Sequence, residues 1–139
     1  MKKRFSMEKK NPIEESQRYV ENAKSLLIEN GGFDPETQSY LDRKYVKMAG
    51  NTLWKGVLYI LDAVFHVRKN KKNRPDISDY QQAIVTRDKK LLSLVNNGYD
   101  ILHLSMGYDG ILDKATCNRG FQIANEIINR CAGMLKAES

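Results

Sequence analysis

Metal-site spacings, phosphate loops and long apolar runs are all missing from this chain. It has two histidines and two cysteines, and neither Cys-x-x-Cys nor His-Glu-x-x-His occurs, so no metal or other cofactor is expected. There is no glycine-rich phosphate loop and no nucleophile elbow. The longest uncharged apolar runs, such as Gly56 to Leu61, are far too short to span a bilayer. The opening stretch MKKRFSMEKK lacks the apolar centre of a signal peptide, so the expected location is cytoplasmic. Cys117 and Cys131 lie 14 positions apart in one predicted helix. That separation is about 21 Å of helical rise, whereas a disulfide needs Cα atoms within about 7 Å. Both are expected to be reduced, buried thiols.

What the chain has is charge and helical periodicity. Hydrophobic residues make up 41% and charged ones 29%, the balance of an ordinary globular domain. The net charge is +6, but it is unevenly placed. Residues 1–10 hold five cations against one acid, and residues 68–74 hold five cations and no acid, which leaves the body slightly acidic. We therefore expect a basic flexible tail over 1–10 and a single helical-bundle domain over 11–139. The second cluster (Arg68, Lys69, Lys71, Lys72, Arg74) suits a solvated loop beside a helix C-terminus. It is also the candidate for contacts with nucleic-acid phosphates.

The spacing predicts an all-α, up-and-down bundle of four main helices, about 12–30, 35–69, 77–96 and 113–136, with a short helix at 99–106. Asn11-Pro12-Ile13-Glu14 and Asp34-Pro35-Glu36 both read as helix starts, with an N-cap acceptor followed by proline at the first helical position. Arg74-Pro75-Asp76 reads as the turn into the third helix, and Asp113 as the cap of the last. Asn96-Asn97-Gly98 before an apolar run also resembles a hairpin signal. The helical spacing ahead of it and the lack of a further strand favour a helix there. The second helix is apolar over most of its circumference from Trp54 onward, so it must be surrounded, at the centre of the bundle or at a subunit contact. Trp54, Leu58, Leu61 and Phe65 are the candidates for such a contact. If straight, a helix over 35–69 would run about 50 Å, and Gly50-Asn51 is the natural place for a bend. Lys44, Asn51, Lys55 and Asp62 form a polar stripe along it, expected to face solvent or to make intrahelical pairs.

His66 sits at the charged end of that helix, as a helix-terminal residue. His103 lies in Tyr99-Asp100-Ile101-Leu102-His103-Leu104-Ser105-Met106-Gly107-Tyr108-Asp109-Gly110-Ile111-Leu112-Asp113. This run resembles the HEPN superfamily of small helical bundles, which place a histidine near a helix end, then a Gly-Tyr-like turn, then an Asp opening the last helix. The order of elements agrees over most of the chain, including the long second helix with Trp54-Lys55-Gly56-Val57-Leu58. In that family, active members are metal-independent ribonucleases using an Arg, four to six intervening residues, then a His. An imidazole titrating near neutrality passes protons to and from the ribose hydroxyl, and a guanidinium stabilises charge building on the phosphate. Here the positions for that arginine are Gly98, Asn97 and Asn96. The nearest arginines in sequence, Arg87 and Arg119, are each 16 residues from His103. The resemblance thus implies a non-catalytic HEPN-like interaction module, expected to be homodimeric and RNA-associated. The alternative is a diverged metal-independent ribonuclease using His103 with Arg87 or Arg119. A protein encoded nearby is a third kind of partner.

Overall fold

A computed structural model describes residues 11–69 and 72–138. The tail 1–10 and Lys71 lie outside the described residues. The chain forms α1 (Pro12–Asn30), a hairpin of β1 (Phe33–Asp34) and β2 (Ser39–Tyr40), α2 (Arg43–Phe65), α3 (Ile77–Val85), α4 (Lys89–Gly98), a π-helix (Tyr99–Tyr108) and α5 (Lys114–Glu138). The fold is all-α, a bundle built around α2, which packs against α1, α3, α5 and the π-helix. Leu53, Val57, Ile60, Leu61, Leu102, Met106, Ile127 and Ile128 fill the interior.

Several boundaries differ from the sequence expectation, each for a visible reason. Asp34-Pro35-Glu36 opens no helix. Asp34 Oδ1 accepts the Glu36 N–H at 2.9 Å, Gln38 adopts φ +55°, and the chain reverses into the antiparallel pairing of Phe33 with Tyr40. An Asp-Pro pair suits a turn as well as a helix start. The hairpin is favoured by bonds to a distant segment: the Tyr40 N–H donates to Leu112 O at 2.8 Å, and the Lys114 N–H to Gln38 O at 3.0 Å. The real cap of α2 is Asp42, whose side chain accepts the Lys44 N–H at 3.0 Å.

At 23 residues, α2 is about 34 Å long and fits the bundle. It runs unbroken through Gly50. The glycines serve contact instead. A Cβ on Gly50 would sit 2.5 Å from Met106 Cβ, and one on Gly56 would sit 2.7 Å from Tyr19 Cβ. At its other end α2 stops at Phe65, with His66 as its C-cap in the left-handed region at φ +56°.

The expected helix 77–96 is two helices. Asp88 breaks it by capping α4 (it accepts the Leu91 N–H at 3.1 Å) while holding Arg130 of α5 at 2.7 and 3.0 Å. The Arg130 guanidinium, and secondarily the Leu91 N–H, holds the Asp88 carboxyl below the usual carboxylate range against the opposing effect of burial. A depressed folded value means that this stabilisation is complete above the unfolded carboxylate range, near pH 4, and fades as pH falls through the folded value. Asp88→Ala is expected to cost about 1–2 kcal/mol at pH 7 from the lost cap. In urea titrations the gap from wild type should narrow steadily below about pH 4; a gap unchanged down to pH 2 would contradict this.

The segment expected as a short helix at 99–106 is helical but π-wound and extends to Tyr108, with the Asp109 N–H reaching back to Leu104 O at 2.8 Å. Asp113 opens α5 as expected, accepting the Thr116 N–H at 3.0 Å and hydroxyl at 2.9 Å. Both cysteines are free and buried.

Candidate functional site

On α2, Lys55, Leu58, Tyr59 and Asp62 follow one another at helical spacing and so share a face. Lys55 and Asp62 belong to the polar stripe expected in solvent, yet this part of the helix is roofed by the segment leading into α3. Asp62 makes the join. Its carboxylate accepts the Arg68 backbone N–H at 3.1 Å and the Tyr80 hydroxyl at 3.1 Å to each oxygen. Burial first, and then the Asp62 charge, push the Tyr80 phenol above its ordinary range, so it stays a donor. The start of the basic segment, at Arg68, and α3 beyond its end are thereby tied to α2.

Two adjoining cavities open under this roof. One, about 590 Å³, is walled by Tyr19, Tyr59, Asp62 and Arg68. The other, about 610 Å³, is walled by Asn51, Trp54, Asp76, Tyr99 and His103. Lys55, Leu58, Arg74, Pro75 and Tyr80 line both, so they form one groove with a waist. Three aromatic rings stand together in the second compartment. His103 lies 5.2 Å from Tyr99 and 6.1 Å from Trp54 between centroids, and Trp54 meets Tyr99 edge-on at 5.8 Å. His103 Nδ1 is sealed from solvent, and no described residue bonds to it.

The sequence candidates divide clearly. Arg74 and His103, 29 positions apart, line the same compartment. Arg68 lines the neighbouring one. Lys69 and Lys72 are exposed and line neither, and Lys71 falls outside the described residues. Arg87 is not a partner for His103: its guanidinium stacks 4.8 Å from the Phe65 ring and pairs with Glu138 at 3.2 Å. Arg119 is exposed and lines neither cavity.

The residues expected at a subunit contact are partly or wholly enclosed within the single chain. Leu61 is 0% and Trp54 8% exposed within the single chain, Leu58 is in the groove wall, and Phe65 is half-buried beneath Arg87. Trp54 and Leu61 on the second apolar face of α2 are thus buried by the chain itself, with the π-helix and α3 among the elements that pack on α2. Tyr19, Tyr59 and Asp62 were not among the sequence candidates for the site. The spacing of Lys55, Tyr59 and Asp62, a mixed face inside an otherwise apolar helix, was the one available signal.

Among the described residues no group of three or more His, Cys, Asp or Glu side chains could hold a metal ion. No described helix is long and apolar enough to cross a membrane.

The fold and groove define a helical-bundle domain with a basic, aromatic-walled cleft along its central helix. Residues 11–133 match the family described as a domain of unknown function, DUF5618, and the chain belongs to that family. It is similar to a solved protein of unknown function from Dyadobacter fermentans, at 38% identity and a TM-score of 0.79, covering 89% of this chain and 95% of that one. No curated protein matches.

Proposed function

We propose that this chain is a non-catalytic, HEPN-like module that binds single-stranded RNA in the groove along α2. The carrying observation is the convergence of Arg74 with the part-exposed rings of His103 and Tyr99 in one compartment, backed by the buried Trp54 and Tyr80. Single strands are held by cations that follow the phosphates and by aromatic faces on which bases stack, and Lys55, Arg68 and Arg74 supply the cations. A binding role is favoured over catalysis by His103 itself. A histidine that shuttles protons has its tautomer set by a partner on its other nitrogen, and Nδ1 here has none among the described residues.

The test is fluorescence anisotropy with a labelled single-stranded RNA. Three phosphate contacts predict that affinity falls about 20-fold between 50 and 200 mM salt. No binding at 50 mM salt, or binding indifferent to salt, would sink the reading.

A second reading is favoured by one observation. Arg74, absent from the motif window, lines the same compartment as His103 and could supply the guanidinium that a diverged ribonuclease needs. It predicts cleavage in EDTA that disappears in both His103→Ala and Arg74→Ala. Intact RNA after prolonged incubation with wild type eliminates it.

A further inference from the structure

Resting on the RNA-binding reading, we infer that the groove seats two successive nucleotides, one base in each compartment, with Arg74 at the phosphate between them. The two cavities, about 590 and 610 Å³, are nearly equal. Each is within the range of sites for a small organic ligand, about 300–1,000 Å³. Each has its own stacking surface. Tyr19 and Tyr59 stand 6.1 Å apart at 42° in one, and Tyr99 and His103, 5.2 Å apart and backed by the buried Trp54, stand in the other.

The waist is where charge gathers. Lys55 and Arg74 line both compartments, and no acid does. Asp62, in the tyrosine compartment, is engaged by Tyr80 and the Arg68 N–H. Asp76, in the other, accepts from Ser78 and caps α3. A sugar-phosphate backbone crossing the waist meets two cations, and bases on either side meet rings.

The measure is affinity against length, using 5′-phosphorylated uridine oligomers of one, two, three and four nucleotides at fixed salt, so that charge grows evenly. Affinity rises about 30-fold from one to two nucleotides, the mid-range for one stacked base, and less than about threefold per step beyond. Ala63→Trp fills the tyrosine compartment from α2, since Ala63 lines that cavity alone; the dinucleotide then binds like the mononucleotide. Should that variant misfold by circular dichroism, Tyr59→Ala removes a stacking face without adding bulk and cuts the two-nucleotide gain at least about fivefold. Equal affinity for one and two nucleotides, an even rise through four, or a gain untouched by Tyr59→Ala overturns the two-seat groove while leaving RNA binding standing. Failure of every oligomer and of longer RNA to bind overturns both.

Discussion

Gly50→Ala is expected to destabilise the protein by about 2 kcal/mol net, lowering the melting temperature by roughly 5–10 °C. Helix propensity alone argues the reverse, since alanine is favoured over glycine in a helix interior by about 1 kcal/mol. Packing decides the sign. The new methyl would stand 2.5 Å from Met106 Cβ, 2.7 Å from Gly107 N and 2.8 Å from Leu102 O. Two of those atoms are backbone of the π-helix and cannot swing aside like a side chain; they move only if the helix moves. Overpacking of this kind costs about 1–3 kcal/mol and occasionally more, enough to outweigh the propensity gain. Gly133 on α5 supplies the contrast. Nothing lies within 4 Å of its added Cβ, so Gly133→Ala is expected to stabilise by up to about 1 kcal/mol. Urea denaturation of both variants checks the pair. A stabilised Gly50→Ala would mean that the π-helix does not press on α2 as described.

The second large effect belongs to the groove. Arg74→Glu is expected to weaken binding of single-stranded RNA about 100-fold at physiological salt, with a visibly flatter salt dependence. A charge-assisted hydrogen bond is worth about 1.5–3 kcal/mol, tenfold or more for the lost contact alone, and reversal adds repulsion at a waist that holds one other cation, Lys55. Lys72 belongs to the same basic run but is exposed and outside both cavities. It has no contact within the groove to lose, and it acts there only through screening solvent, so Lys72→Glu should cost far less than Arg74→Glu. Equal losses from the two substitutions would reassign binding to a diffuse basic surface. Melting curves for both variants should match wild type, because neither side chain carries core packing.

How much of this was legible beforehand depends on the range of the interaction. The all-α class, the start of α1 at Asn11-Pro12, the Asp113 cap and the buried thiols follow from residues within a turn or two of each other, and the structure agrees. The false start at Asp34-Pro35 was equally local in appearance. It failed because bonds from the hairpin to residues 112 and 114 compete with the helix, and no window around residue 35 contains them. Asp88 was hidden likewise, since its break in the third helix is completed by Arg130, on a different helix.

The sequence determined by itself that the chain is helical, that its long second helix must be enclosed from Trp54 onward, and that positive charge gathers at residues 68–74, since periodicity and composition are written along one dimension. Only the tertiary structure decided that this helix is enclosed by its own chain, and that Arg74, far from the motif window, lines a cavity with His103. Pairing residues 29 positions apart depends on how a loop is tied down, and here that tie is the carboxylate of Asp62 reaching Arg68 and Tyr80 at once.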